Sequence, residues 1–180
     1  MFPPTALNII SEILKISHKI YQKGYVVGNS GNISGRIDND HIIIKRTGVS
    51  LGDLRPKDLI ITRLDRAESH VSSDFFIHKE IYLRSPYAKY IVHAHPENVV
   101  IGSLKNGKIV PRTYEGKKLF GEVIPVIRCK HEELPYVINF NKHNGLIIEE
   151  GHGVYLYGEE LEKLFIILEE LEYTAKMSLI

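Results

Sequence analysis

The sequence predicts a layered α/β domain built around one mixed sheet, and three observations support this prediction. The chain has 180 residues, of which 43% are hydrophobic and 25% charged, as in an ordinary globular protein. Apolar residues recur at helical spacing near both ends of the chain. Short β-branched runs alternate with helical patterns, which favours a sheet covered by helices. We therefore expect residues 1–180 to form a single domain.

The N-terminal part of the chain predicts one helix, a loop and two strands. The first helix would begin after a Thr5 N-cap and stop at Gly24. Its apolar stripe consists of Ile9, Ile13, Ile16 and Ile20. The stretch "GNSGNISGRI" is rich in glycine and asparagine, which favour a tight loop. The runs "HIIIK" and "DLIITRL" are bounded by turn residues and predict strands.

The remainder of the chain predicts an alternation of helices and strands. "SSDFFIHKEIYLRSP" is typical of a helix opened by Ser73 or Asp74 and closed before Pro86. It precedes the strand "YIVHAH", the helix "ENVVIGSL" and the strand "VIPVIR". "LIIEEGHGVYLYG" predicts two strands around a glycine turn, and "EELEKLFIILEELEYTAKM" predicts a long amphipathic helix.

The bulk composition excludes several classes of partner. Lys and Arg number 23 against 22 Asp and Glu, so the net charge is +1 and we expect neither nucleic acid nor a membrane as partner. Cys129 is the only cysteine, which excludes an internal disulfide and a cysteine-based zinc cluster. The first residues lack a signal-peptide pattern, and no apolar run reaches membrane-spanning length. These features predict a cytoplasmic protein.

Two histidines end the strand "YIVHAH". Because a strand alternates faces, His93 and His95 would point to the same side with Cα atoms ~7 Å apart. Imidazole suits zinc and related ions, but a site needs a third ligand. Among the nine histidines, His152 differs because the glycines of "GHG" allow a sharp turn and a close approach. Each motif alone is also compatible with an ordinary surface or turn histidine. The neighbouring residues form no distinctive motif around the other histidines, namely His18, His41, His70, His78, His131 and His143.

Three further motifs indicate an anion site. "SSDFF" begins a helix, where free N–H groups and two hydroxyls can bind an anion. "GNISG" and "KRTGVS" add backbone amides, small hydroxyls and the charge of Lys45. Together these segments are suited to a phosphate. The glycine spacing does not match a dinucleotide fingerprint, and the chain has no Walker A sequence.

Five motifs in this order, "GNISGR", "IKRTGVS", "SSDFFIHKEIY", "IVHAHP" and "EGHGVYLYG", resemble those of the class II aldolase/adducin family over nearly the whole chain. The resemblance implies a three-layer α/β/α sandwich with a mainly antiparallel central sheet. It implies that His93, His95 and His152 bind Zn²⁺ or another divalent metal ion. It also implies a homotetramer with active sites at subunit interfaces.

The resemblance further implies roles for individual residues. Asp74 occupies the position of a catalytic acid/base, which is a glutamate in the aldolases of the family. Tyr114 falls near a tyrosine that acts as a proton donor across a subunit interface. Gly151 departs from the asparagine or histidine usual before the third metal ligand. The residues matched to binding of the substrate phosphate are Asn32, Lys45, Thr47, Gly48, Ser72 and Ser73.

The implied activity is metal-dependent cleavage of a ketose phosphate, a small-molecule sugar phosphate, to dihydroxyacetone phosphate and an aldehyde. An L-ribulose-5-phosphate 4-epimerase-like activity is the nearest alternative, because Asp74 and Lys45 match its pattern. Against it, the second acid/base that the epimerase requires should fall near Lys117, where no carboxylate stands. A dehydratase acting on a methylthio-sugar phosphate is a third possibility. The non-enzymatic alternative is an adducin-like interaction module, which would not need all three histidines.

Overall fold

The computed structural model describes residues 4–138 and 145–180, so His143 lies outside the described residues. Its strands are β1 Asn32–Arg36, β2 His41–Lys45, β3 Leu59–Arg63, β4 Tyr90–Ala94, β5 Lys108–Ile109, β6 Ile124–Ile127, β7 Leu146–Glu149 and β8 Gly153–Gly158. Its α-helices are α1 Pro4–Gln22, α2 Phe75–Arg84, α3 Glu97–Asn106, α4 Tyr114–Phe120, α5 Leu134–Val137 and α6 Leu161–Ser178. Short 3₁₀ helices cover Leu51–Asp53, Pro56–Asp58 and His131–Glu133.

In the described part of the chain, the strands form one eight-stranded sheet in the order β3-β2-β1-β4-β8-β7-β6-β5. Every neighbouring pair is antiparallel except β6 and β7, which run parallel. The sheet is therefore mainly antiparallel, as predicted. None of the helices in the described residues is both long and apolar enough to cross a membrane.

Helices cover both faces of the sheet. Because strand side chains alternate, Ile43 joins the core that α1 and α6 cover, whereas Ile42 and Ile44 join the core under α2 and α5. Ile13 of α1 and Ile77 of α2 are fully buried in these two cores. Burial of an isoleucine side chain contributes roughly 1.5–3 kcal/mol. The three-layer α/β/α sandwich is thus confirmed.

Two details of the N-terminal region differ from the sequence prediction. Within the described residues, helix α1 already includes Pro4, so Thr5 lies inside the helix rather than at its N-cap; proline is favoured in a first turn because its ring already holds a helical φ. Residues 32–36 form strand β1 rather than a loop, because they pair with both β2 and β4. Gly35 also lets α1 approach the sheet, since a Cβ there would lie 2.4 Å from Ile9 Cγ2.

Short elements without strong periodicity were not predicted, namely β5, α4 and α5. Helix α4 depends on a local cap, because Thr113 Oγ1 accepts a hydrogen bond from the Gly116 amide at 3.0 Å. All the helices and strands that the sequence did predict are present. In the centre of the sheet, His93 pairs with Asn32 on one side and with Tyr155 on the other. This register brings polar residues together at one end of the two middle strands.

Candidate active site

Three imidazoles converge at this end of the sheet. His93 belongs to β4, His95 follows the same strand, and His152 occupies the turn between β7 and β8. The Nε2 atom of His93 lies 2.8 Å from Nε2 of His95 and 3.3 Å from Nε2 of His152. The structure therefore brings together the three histidines that were predicted as metal ligands.

Local contacts orient these rings. The Nδ1 of His93 donates to the Val154 carbonyl at 3.0 Å, which leaves the lone pair of Nε2 facing the other two rings. The backbone amide of His95 donates to the Tyr25 carbonyl at 2.8 Å. Gly153 permits the close approach of the two chain segments, because a Cβ there would lie 2.4 Å from the Ala94 carbonyl oxygen. The second glycine of "GHG" is required by this contact.

The chemistry of the three rings fits a divalent ion. Burial lowers the pKa of His95 to about 4 and holds the pKa of His93 well below its ordinary value, so both rings are neutral near pH 7. The 2.8 Å separation between the Nε2 atoms of His93 and His95 suits either one hydrogen bond between the two rings or a cation that both nitrogens bind. Three nitrogen ligands are a donor set that zinc accepts while keeping a position open for substrate.

Asp74 lies beside these rings at the start of α2. It occupies the N-cap position as expected, but its side chain makes no capping hydrogen bond. Instead its Oδ2 accepts hydrogen bonds from Asn32 Nδ2 at 2.6 Å and from the Tyr155 hydroxyl at 3.1 Å, and lies 3.5 Å from His93 Nε2. Burial opposes ionisation, but His93, His78 and the Asn32 hydrogen bond hold the pKa of the Asp74 carboxyl below its ordinary value.

A buried hydrogen-bond chain stands behind Asp74. The Tyr82 hydroxyl lies 2.8 Å from Ser34 Oγ, which lies 2.7 Å from His78 Nδ1. The other nitrogen of His78, Nε2, donates to the side-chain carbonyl of Asn32. Asn32 in turn donates to Asp74. A neutral His78 accepts a hydrogen bond at Nδ1 and donates one from Nε2, so Asn32 is held in the orientation that donates to Asp74.

The burial of His78 makes the stability of the metal-free protein depend on pH. Burial lowers the pKa of His78 to about 4, and the nearby Asp74 only partly offsets this. The neutral ring therefore stabilises the fold fully above the unfolded-state pKa of about 6.5, and this stability is lost as the pH falls through that value toward 4. At about 1.4 kcal/mol per pKa unit, the loss reaches about 3 kcal/mol.

Urea unfolding of the metal-free wild type and His78→Gln between pH 7 and pH 4 measures this loss. We expect the free energy of unfolding to fall about 3 kcal/mol further in the wild type than in His78→Gln. Since the other buried histidines are the same in both proteins, their contributions cancel. His41→Gln, at a half-buried surface histidine that pairs with Asp38, is the control for the loss of a histidine elsewhere. Parallel pH profiles for wild type and His78→Gln would contradict the assignment.

The polar end of the sheet opens into a cleft with a volume of 220 Å³. Asp74 and the three histidines line one part of it. The segments "KRTG" and "SSD" meet here because the Ser72 amide donates to the Lys45 carbonyl at 3.1 Å and Arg46 bridges to Val71. The same cleft is lined by every residue predicted to bind phosphate, namely Asn32, Lys45, Thr47, Gly48, Ser72 and Ser73.

Lys45 supplies the cationic side chain of this cleft. Its ammonium donates to the carbonyls of Asn29 and Val49, which hold it in place. Burial lowers the pKa of Lys45 to about 8, although the Asp74 carboxylate acts in the opposite direction. Lys45 therefore remains mostly protonated at pH 7. A buried ammonium beside small hydroxyls is suited to an anionic group.

The structure does not bring every predicted residue into the cleft. Tyr114 is the first residue of α4, is 75% exposed, and is absent from the lining of the cleft in its own chain. Asn32 does line the cleft, but its side-chain amide is already engaged by Asp74 and His78. Its phosphate-binding role therefore stays a prediction, and the structure adds a role in orienting Asp74.

Sequence reasoning missed two residues next to this site. Glu149 lies with its Oε2 2.7 Å from His152 Nδ1, and His131 lies with its Nδ1 3.0 Å from the same oxygen. The carboxylate at the end of the apolar run "LIIE", three residues before His152, was a usable signal for Glu149. No local pattern around His131 distinguishes it from the exposed histidines.

Comparisons with known proteins agree with this geometry. A model of the family described as "Class II Aldolase and Adducin N-terminal domain" matches residues 11–179. The L-fuculose phosphate aldolase of Methanococcus vannielii is 29% identical over 173 residues, which cover 94% of this chain and 94% of that protein. The methylthioribulose-1-phosphate dehydratase of Acidiphilium cryptum is 30% identical over 185 residues, covering 90% of this chain and 85% of that protein.

A solved structure has the same fold. The L-fuculose-1-phosphate aldolase from Thermus thermophilus matches with a TM-score of 0.86 at 23% identity, covering 95% of this chain and 92% of that one. Because the family model spans nearly the whole chain and the architecture agrees, the chain belongs to the class II aldolase and adducin family.

Proposed function

We propose that the protein is a metal-dependent lyase that cleaves a ketose phosphate to dihydroxyacetone phosphate and an aldehyde. One observation carries this proposal: a single cleft combines three convergent imidazoles, a buried carboxylate and a set of anion-binding groups. The similarity to an L-fuculose phosphate aldolase supports the same reaction class.

His93, His95 and His152 are the residues that would hold the divalent ion. A bound ion supplies Lewis-acid stabilisation of the negative charge that develops on substrate oxygen atoms. Each of these three side chains contributes one Nε2 atom to the convergent set. An adducin-like interaction module would have no need for such a set.

The anion-binding part of the cleft would hold the substrate phosphate. Lys45 provides positive charge, and Ser72 and Ser73 provide hydroxyl groups at the start of α2. Gly48 has a φ of +76°, a conformation that favours glycine and presents the backbone of the "KRTG" turn to the cleft. Phosphate bound here would direct the rest of the sugar toward Asp74 and the histidines.

Asp74 is the proposed general base. It would remove the proton from the hydroxyl group on the carbon beyond the bond to be broken, and that carbon would leave as the aldehyde. The electron pair of the broken carbon–carbon bond would pass toward the ketose carbonyl oxygen, and reprotonation would complete dihydroxyacetone phosphate. The hydrogen bonds from Asn32 and Tyr155 hold the carboxylate in position for this transfer.

A methylthioribulose-1-phosphate dehydratase-like activity is the second candidate. It is favoured by the 30% identity to such an enzyme over most of both chains. The same base and the same phosphate site would serve, but water would leave instead of an aldehyde.

We also propose that Tyr114 acts in the cleft of a neighbouring subunit of a homotetramer. Its side chain is exposed and does not line the cleft of its own chain.

A substrate screen tests the proposed function. Zinc-loaded protein is incubated with phosphorylated ketoses and with their unphosphorylated parents, and release of aldehyde, loss of water and formation of epimers are measured together. We expect aldehyde release from phosphorylated ketoses, with far lower turnover of the free sugars. Charge-assisted hydrogen bonds of ~1.5 to 3 kcal/mol correspond to roughly 10- to 100-fold in affinity for each lost contact.

Lys45→Met provides a matched test of the phosphate site, and Lys57→Met at an exposed lysine is its control. Inorganic phosphate should compete with substrate in the wild type and in Lys57→Met, and roughly 10- to 100-fold more weakly in Lys45→Met. Equal turnover of free and phosphorylated sugars would overturn the phosphate assignment. Loss of water without aldehyde would favour the dehydratase. A protein that neither binds metal nor turns over any sugar phosphate would support the interaction module.

A further inference from the structure

A buried carboxylate lies behind the candidate metal ligands. Glu149 is the last residue of β7, and its side chain is 5% exposed. The two preceding residues, Ile147 and Ile148, are buried in the two cores on either side of the sheet. Burial of an ionised carboxylate costs several kcal/mol unless the group is paired and hydrogen-bonded. The groups that pair with Glu149 therefore indicate which interactions offset the cost of burying its carboxylate.

Among the described residues, the side chain of Glu149 contacts two hydrogen-bonding partners, and both are imidazoles. Oε2 lies 2.7 Å from His152 Nδ1 and 3.0 Å from His131 Nδ1, and Oε1 lies 3.1 Å from His131 Nδ1. The remaining nitrogen of His131, Nε2, lies 3.4 Å from Asp74 Oδ1. A continuous line of contacts thus runs from the proposed base, through His131 and Glu149, to one proposed metal ligand.

The sheet and helix α2 fix this arrangement. Parallel pairing places Ile127 of β6 beside Glu149, and the Glu150 amide donates to the Ile127 carbonyl at 2.9 Å. After β6 the chain turns, and His131 lies beside the Glu149 carboxylate. The ring of His131 packs edge-on against Phe76, with centroids 5.5 Å apart. His131 is therefore held between β7 and the start of α2.

We propose that Glu149 is a positioning residue that holds His152 in the tautomer protonated at Nδ1, and that His131 holds the Glu149 carboxylate in place. This proposal rests on the proposed function, because it takes His93, His95 and His152 as the metal ligands. A ring that donates from Nδ1 has its lone pair on Nε2, and the Nε2 of His152 faces His93. Without the carboxylate, the other tautomer and other ring orientations become accessible.

Metal affinity and tautomer state test the proposal independently of any substrate. Zinc affinity, measured by competition with a chelator, should fall roughly 10- to 100-fold in Glu149→Gln, as is usual when an outer partner of a metal ligand is lost. Glu150→Gln is the matched control, because Glu150 is the next residue but pairs with Arg128. His131→Phe keeps the ring against Phe76 and removes both nitrogens, so it should weaken zinc binding less than Glu149→Gln.

Nitrogen-15 NMR of the metal-free protein gives the second measurement. We expect His152 to carry its proton on Nδ1 in the wild type and in Glu150→Gln, and to show mixed tautomers in Glu149→Gln. Wild-type zinc affinity together with an unchanged tautomer in Glu149→Gln would overturn the positioning role and leave the proposed function intact. A wild type that binds no zinc would overturn the proposed function. If Glu149→Gln does not fold, a wild-type His152 protonated on Nε2 would still overturn the positioning role.

Discussion

Replacement of Asp74 by asparagine is expected to lower turnover by the ~10²–10⁴-fold usual for loss of a general acid/base group. Asparagine is nearly the same size and keeps one oxygen that can accept from Asn32 Nδ2 or the Tyr155 hydroxyl, so the fold and the metal content should be retained. What is lost is the ability to accept a proton from the substrate. Turnover, metal content and thermal midpoint measured on the same preparations test this expectation.

Asp74→Glu is the matched variant for this test. The aldolases that the chain resembles carry a glutamate at this position, so we expect carbon–carbon bond cleavage to survive or improve when the side chain is one methylene longer. A purely structural role as a helix cap predicts instead that Asp74→Asn has wild-type turnover, because asparagine caps helices as well as aspartate. That result would remove Asp74 from the mechanism, although its side chain makes no capping bond in the structure.

Replacement of His93, His95 or His152 by alanine is expected to release most of the bound metal. The wild type should carry about one divalent ion per chain, as a three-ligand site requires. Removal of a direct ligand should weaken binding by more than the roughly 10- to 100-fold that follows loss of an outer partner. His41→Ala, at a half-buried surface histidine paired with Asp38, is the control, and this variant should keep its metal. Full metal retention in His93→Ala and His95→Ala would exclude the assignment.

The pH dependence of metal binding provides a second measurement on the same proteins. The hydrogen bond to Glu149 raises the pKa of His152, whereas burial lowers the pKa of His95 to about 4. As the pH falls, protons should therefore compete with the metal at His152 before they compete at His95. Metal content measured between pH 8 and pH 4 should therefore begin to decline at the pH at which protons displace the metal from His152.

Much of the architecture was predictable because the relevant signals are local. The isoleucine stripe of α1 repeats with the period of a helix, and β2 and β3 are short β-branched runs typical of strands. The predicted elements are present. Strand alternation placed His93 and His95 on one face without knowledge of the rest of the fold. The same reasoning failed at residues 32–36, where asparagine and glycine suggested a loop, because pairing with strands on both sides overrides local turn propensity.

By itself, the sequence determined the types and order of most elements, the shared face of His93 and His95, and a set of motifs whose order resembles one family. The tertiary structure decided which distant groups meet. Pairing of β7 with β6 brings His131 beside Glu149, and the packing of α2 turns Asp74 away from a cap and toward the histidines. These contacts join residues far apart in the chain, and side-chain periodicity carries no information about such separations. Only the register of the sheet and the packing of helices against it specify them.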